Sequence, residues 1–544
     1  MTDEAPRRPT GDGGPDGGRA QTSGPVRVRP GDRTGARGTD DTRGAGGGRI
    51  AEGDPPRAGG QPAYRATGPG LDLAGGLAAL RGLLARPLAS YYLLVSSAGL
   101  LLLIGLTMVF SATSVRSSAT DGNPFAMFAK QALFALFGLV AFWICQRLPA
   151  RTFRALGLPT LGVAVVLLVV LDVLHLWGKI TGNFAIGPIE AQLLWLVIGP
   201  VQVQPSELAK LGLVLWGADV VARKGAALAW WRELATPLLP AVGLLFVLVG
   251  YNDLGTMLCL LAVVVGLLWA AGVRKRFFAA LSVLGLIGVG LLVAAASIGA
   301  GSGESGERNY RLTRLTMFID PPPPEECGLD GCYQYLQARY AIDNGGWFGV
   351  GLGKSVLKWD WLPAAHNDFI FAIVAEELGV VGCAVVLTLF AVLAYTGLRI
   401  ARRVADPFRR LAATAATTWL VGQAVINIGG VVGLLPITGL PLPFISDGGS
   451  ALVVTLAAVG MLASFARAEP EAARALHARP APRWVRLLWA PLPPLPPARR
   501  GGVQPARSGR ENASPTGRRR ETRAGPTGGR VRRGRTGTAG ERRR

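Results

Sequence analysis

The stretch Tyr91-Tyr92-Leu93-Leu94-Val95-Ser96-Ser97-Ala98-Gly99-Leu100-Leu101-Leu102-Leu103-Ile104-Gly105-Leu106-Thr107-Met108-Val109-Phe110 carries no charged side chain. A helix of roughly 20 mainly apolar residues crosses a bilayer core of about 30 Å, whereas a soluble helix of that length shows a charged face to water. Nine more stretches of this kind follow, near 127–146, 155–175, 206–222, 234–251, 254–272, 277–299, 369–397, 411–434 and 447–466. With the first, near 90–111, they predict an all-α polytopic membrane domain of ten spans within residues 88–466. The fourth, eighth and tenth spans carry polar motifs.

The flanks differ from this domain. Of 544 residues, 50% are apolar and 17% charged, with a formal charge of +22, yet the mean hydropathy is +0.34. That combination excludes both a soluble basic protein and a wholly disordered chain. Residues 467–544 hold 20 Arg against 5 Glu, so most of the excess positive charge lies there. Basic character therefore marks a tail, and no nucleic-acid partner is expected. Residues 1–87, rich in Gly, Pro, Arg and Asp, lack apolar periodicity and read as a disordered tail, as do 467–544. No short apolar segment with a cleavage site opens the chain, so no removable signal peptide is expected. Just after the last span, Arg483, Trp484, Arg486 and Trp489 form an amphipathic basic patch suited to anionic membrane lipids.

Basic residues orient the spans. Alternate connections carry Arg147, Arg151 and Arg154; Arg223, Lys224 and Arg232; Arg274, Lys275 and Arg276; and Arg399, Arg402, Arg403, Arg409 and Arg410. The remaining short connections offer little more than Arg116 and Lys179. Both termini are then cytoplasmic, in the plasma (inner) membrane, and the long connection at about 300–368 is extracytoplasmic. Four polar clusters share that outer side: Gln204–Lys210, Asn252–Thr256, Ala365–Phe369 and Leu442–Ser450. Ionisable groups at membrane depth are costly and mark sites or pathways. One outward-facing active site or vestibule accounts for all four.

Cys145, Cys259 and Cys383 lie in apolar spans and read as core residues. Cys327 and Cys332 lie in the long outer loop, where a disulfide persists, and are expected to pair. A zinc site has no accompanying ligands there.

Two segments resemble a known family. One runs from Tyr310-Arg311-Leu312-Thr313-Arg314-Leu315 through Gly345-Gly346, Gly349-Val350-Gly351-Leu352-Gly353 and Leu362–Phe371 to Glu376-Glu377-Leu378-Gly379. The other is Asn427-Ile428-Gly429 with Gly433–Ser446. Phe110-Ser111-Ala112-Thr113 and Gln204–Lys210 extend the match over roughly 90–466. The pattern is similar to the SEDS proteins (shape, elongation, division and sporulation), and closer to the division-type FtsW branch than to the elongation-type RodA. The resemblance implies a ten-span peptidoglycan glycosyltransferase that polymerises lipid II. It also implies a class B penicillin-binding protein as transpeptidase partner, other division proteins at the septum, and a divalent cation (Mg or Mn) supporting activity. An acid at the position of Asp368 would be essential, as general base. The sequence departs from the family at Leu193-Leu194-Trp195, at Asn367, and at Asp447, where a Tyr is common.

Transfer from an α-pyrophosphate to a β-1,4 bond is one inversion and needs one base, with positive charge at the leaving group. Asp368 suits the base; otherwise it caps the eighth helix. Glu207 and Lys210, three apart, form a structural pair or line the cavity, and Asp253 is a cap or a cavity wall. Glu376 would lie about 12 Å deeper on a helix running from 368, facing the same cavity, with Glu377 pairing elsewhere. Arg311, Arg314, Lys354 and Lys358 are candidate pyrophosphate cations, and Ser446 a candidate substrate contact. A lipid II flippase and a non-catalytic scaffold are the competing readings. A flippase needs polar groups along both halves of its path, and a scaffold makes Asp368 dispensable.

Overall fold

The computed structural model describes residues 84–495, apart from 193, 200, 226–235, 251–252, 281, 284–330 and 360, together with 75 and 81–82. All of these belong to one compact unit. Helices dominate it: α1 (Ala89–Asp121), α2 (Ala126–Cys145), α3 (Ala150–Thr181), α4 (Pro205–Lys224), α5 (Leu238–Gly250), α6 (Leu254–Ala270), α7 (Gly331–Gly345), α8 (Ile370–Arg403), α9 (Pro407–Val431), α10 (Gly449–Arg467), α11 (Pro470–Ala478) and α12 (Arg483–Leu488). Among them α1, α2, α3, α8, α9 and α10 are long and apolar enough to cross a membrane, and α5 and α6 are shorter apolar helices. α4 is polar for a span because Glu207, Lys210, Asp219, Arg223 and Lys224 lie along it. Nine of the ten expected stretches thus carry a described helix; 277–299 lies largely outside the described residues.

Exposed Leu133, Leu136, Phe137, Leu139 and Val140 on α2 make a continuous apolar surface. A water-facing domain does not tolerate such a patch, and lipid does. Between lipid-facing helices, packing depends on close backbone approach rather than on the hydrophobic effect. α3 and α4 meet in this way: a methyl group on Gly212 would lie 2.8 Å from Leu161 Cα, and one on Gly157 would lie 2.9 Å from the Trp216 nitrogen.

Two features differ from the sequence reading. An antiparallel meander follows α3: β1 (Ala185–Ile186), β2 (Ile189–Gln192), β3 (Trp195–Ile198) and β4 (Val201–Val203), in that spatial order. The all-α expectation thus needs a small sheet added. Ala191 and Leu196 pair across β2 and β3 and pack on Leu171 and Leu174 of α3. Second, packing does not stop at 466. Ala472 and Ala473 on α11 are fully buried, and Trp489 Nε1 donates to Tyr91 Oη at 2.7 Å. Arg147 and Trp143 donate to the carbonyl of Leu488, at 3.0 and 2.6 Å. Arg467 donates to the carbonyls of Ala490 and Pro491. Packing against the bundle therefore continues at least to Pro491, because the carbonyls at and just beyond the end of α12 satisfy cations at the base of α2 and α10.

α8 is broken at Gly379, where φ is 66° and ψ −165°. The backbone groups freed there bond to the segment that follows α7. Val350 and Gly351 donate to the carbonyls of Glu376 and Glu377 at 2.9 and 3.1 Å. In return, Val380 and Val381 donate to those of Gly346 and Trp347 at 3.0 and 3.2 Å. This exchange fixes the 346–351 segment beside the break in α8, around residues 376–381.

Candidate functional site

The entrances of α4, α6, α8 and α10 converge, and the polar clusters singled out in the sequence lie at them: the Gln204 amide donates to Ser450 Oγ at 3.0 Å, Ser446 bonds the Asn367 carbonyl, and Gly255 packs against Thr438 and Leu440. Asp368 lies in the turn that enters α8 and is half-buried. The residue next to the helix is Phe369, with no side-chain cap, so Asp368 is not the helix cap. The turn is tight: the amides of Asn367 and Phe369 both donate to the Ala364 carbonyl, at 3.0 and 3.3 Å, and Ala364 has φ +56°. A left-handed alanine costs energy and persists only where surrounding contacts over-determine it.

Those contacts come from three elements. Asn427 of α9 donates Nδ2 to the carbonyl of Asp368 at 2.7 Å and to that of Leu440 at 2.6 Å. Ser446 donates its hydroxyl to the Asn367 carbonyl at 2.7 Å and accepts the Leu442 amide at 2.7 Å. The Asp447 amide donates to the His366 carbonyl at 3.0 Å. The 438–447 loop that supplies these groups is buried, with Leu440, Leu442, Phe444 and Ile445 all 3% exposed or less. Gln131 of α2 holds it from the far side, donating to the Ser446 carbonyl at 3.2 Å. Residues 366–368 are thus pinned at each peptide, and Asp368 is partly exposed with its Oδ1 buried.

The other expected residues separate into several groups. Glu207 and Lys210 form a fully buried pair at 2.6 Å, and Lys210 also donates to Gln423 Oε1 at 2.7 Å. Its ammonium lies 5.5 Å from the centre of the Trp419 ring. The structural-pair reading fits this geometry. Asp253 accepts the Thr256 amide at 2.9 Å and caps α6, so the cap reading fits. Ser446 contacts protein backbone, as described above. Lys354 is exposed.

Two expectations change. Lys358 is only 4% exposed, and its ammonium lies 3.2 Å from Glu377 Oε1 and 3.3 Å from Ser111 Oγ; it is an internal ion-pair member rather than an open pyrophosphate cation. Glu376 is buried and accepts the Ser355 hydroxyl and, at 3.2 Å, the Val356 amide. It braces the 355–358 segment instead of lining the cavity, because α8 starts at Ile370 and breaks at Gly379. Glu377 does pair with neighbouring elements, accepting Ser111 Oγ of α1 at 2.7 Å. Arg311, Arg314 and Cys327 lie outside the described residues; Cys332 is disulfide-bonded and Cys145, Cys259 and Cys383 are free.

Sequence reading assigned no role to Gln131, Gln423 and Asn427. Gln423 and Asn427 are one helical turn apart in the otherwise apolar second half of α9, from Trp419 to Val431, a spacing that marks a polar stripe. Among the described residues no three His, Cys, Asp or Glu side chains come together as a metal site. No chemical step is assigned to a divalent cation.

Apolar helices around a pinned acidic turn define a polytopic membrane protein with one polar site among the entrances of α4, α6, α8 and α10. The chain belongs to the family of FtsW, RodA and SpoVE cell cycle proteins, whose sequence model matches residues 91–471. It is 41% identical over 435 residues to a Mycobacterium tuberculosis protein named "Probable peptidoglycan glycosyltransferase FtsW", covering 78% of each chain. It is 33% identical over 380 residues to "Stage V sporulation protein E" of Bacillus subtilis, covering 69% of this chain and 96% of that protein. A solved structure described as "Structural coordination of polymerization and crosslinking by a peptidoglycan synthase complex" superposes with a TM-score of 0.51 at 27% identity, covering 69% of this chain and 96% of the other.

Proposed function

We propose that this chain is a peptidoglycan glycosyltransferase that polymerises lipid II into glycan strands for septal wall synthesis, with Asp368 as its general base. The family match and the relatives named glycosyltransferases support the reaction class. One observation carries the residue assignment. Within the polar site, the turn at 366–368 has its backbone bonded from α9 and from the 438–447 loop, while Asp368 stays half-buried as a residue, with its Oδ1 covered. Rigid backbone beneath a partly exposed acidic residue is the arrangement a general base requires.

In the reaction, the acceptor's C4 hydroxyl attacks the donor's anomeric carbon and Asp368 takes the hydroxyl proton. The bond to undecaprenyl pyrophosphate breaks, and the leaving group departs with the electron pair. A single inversion results, with no covalent enzyme intermediate. Lys354 is the described member of the expected cation set that is free to meet the leaving pyrophosphate; Lys358 is occupied by Glu377. The site faces the extracytoplasmic side, with both termini cytoplasmic, and a class B penicillin-binding protein cross-links the strands. The flippase reading draws no support from the polar groups beneath the site, since Lys210 is bonded to Glu207 and Gln423 and Asp253 caps a helix.

Purified protein with its transpeptidase partner and lipid II tests the reading. Glycan polymer is expected, and Asp368→Asn is expected to lower the rate by at least about a hundredfold. Equal polymer from the folded variant would end the general-base assignment.

A further inference from the structure

Asp368 is held through its own peptide by a chain of buried polar groups that begins in the first turn of α4. Glu207 Oε1 accepts from Lys210 at 2.6 Å, and Lys210 donates to Gln423 Oε1 at 2.7 Å. Trp419 Nε1 donates to that same oxygen at 2.9 Å. With both donors on its oxygen, the Gln423 amide must direct Nε2 the other way, and Nε2 donates to the Pro441 carbonyl at 2.9 Å. One turn along α9, Asn427 Nδ2 donates to the adjacent Leu440 carbonyl at 2.6 Å and to the Asp368 carbonyl at 2.7 Å. Every side chain in the chain is 5% exposed or less.

We propose that Asn427 and Gln423 are positioning residues for the transfer reaction, a two-rung ladder on α9 through which the Lys210–Glu207 pair fixes the Asp368 backbone against the 438–447 loop. This rests on the general-base reading of Asp368.

Two features separate positioning from simple packing. Asn427 joins carbonyls 72 positions apart, at 368 and 440, so it sets the catalytic turn against the loop that forms the site's wall. Its Oδ1 is buried with no partner, and burying such an acceptor costs about 1–3 kcal/mol. A leucine would avoid that cost; only the two Nδ2 bonds offset it. The Asp368 carbonyl and carboxyl share one Cα, so release of the first moves the second. A displacement of about 1 Å is enough to cost on the order of a hundredfold in rate.

The experiment compares the parent, Asn427→Leu and Gln423→Met, each purified and scored per folded molecule. Two readouts are used: lipid II polymerisation, and the rate at which a water-soluble carbodiimide labels Asp368, followed by mass spectrometry. Asn427→Leu is expected to lower kcat about ten- to a hundredfold with KM within about twofold. It should also shift the acid limb of the kcat/KM pH profile and change the Asp368 labelling rate more than threefold. Gln423→Met, one bond further away, should show the same pattern more weakly. The labelling readout stands even if the parent makes no polymer, a result that would sink the functional reading alone. Labelling unchanged in Asn427→Leu, or a rise in KM with kcat unchanged, overturns the ladder. If Asn427→Leu does not fold, Gln423→Met decides: parental kcat and labelling overturn the proposal.

Discussion

Lys358 stands ten residues before Asp368, and its charge alone suggests a contact with the substrate's phosphates. In the fold it sits beside Glu377 and Ser111, almost fully buried. Sequence adjacency could not reveal this, because its partners come from α1 and from beyond the turn. Breaking such a pair leaves one charge buried alone, at a cost of about 3–5 kcal/mol, whereas replacing both members with apolar groups is often neutral. Lys358→Met should therefore lower the thermal unfolding midpoint in detergent, and Lys358→Met with Glu377→Leu should recover most of it. Recovery failing in the double variant would mean the pair does more than neutralise itself. Asp447 makes a second prediction. Burial pushes its carboxyl up to about 6, with the Lys130 ammonium acting the other way. The folded chain then binds that proton more tightly than the unfolded one, whose carboxyl titrates near 3.9. Stability accordingly falls as pH rises from about 4 through about 6. Asp447→Asn should remove that decline and unfold at a higher temperature than the parent at pH 7, as measured by differential scanning fluorimetry.

Most helices were legible because span length and apolar composition are local properties of the chain. The break in α8 was not. Gly379 follows Glu376-Glu377-Leu378, which read as uninterrupted helix, and only the incoming 346–351 segment explains the break. A methyl group on Gly379 would lie 2.4 Å from the Gly349 nitrogen and 2.6 Å from the Trp347 oxygen. With φ at +66° as well, Gly379→Ala should cost at least about 1–3 kcal/mol. Hydrogen exchange should show faster exchange at Val350, Gly351, Val380 and Val381, and unchanged rates there would refute the interlock. The meander was missed for the opposite reason. Its strands are two to four residues long, too short for alternation to register against the apolar runs on either side.

Across the whole molecule, the polar clusters that sequence spacing scattered over 250 residues do converge, because the four helices they open meet at their entrances. Spacing could not say which side chains face each other there. It therefore gave Asp368 its place at the site and left Asn427, its direct support, without a role. The other end of the bundle is closed by the segment after α10. Removing residues beyond 478 would take away the Ala490 and Pro491 carbonyls that Arg467 uses, and Trp489 from Tyr91. Such a truncation should lower the unfolding midpoint by several degrees.

That strap also governs how the protein can be watched in cells. A fluorescent reporter spliced in directly behind the last long helix would pull Trp489 away from Tyr91 and report on a loosened enzyme, so any label belongs downstream of Pro491, whose carbonyl holds Arg467.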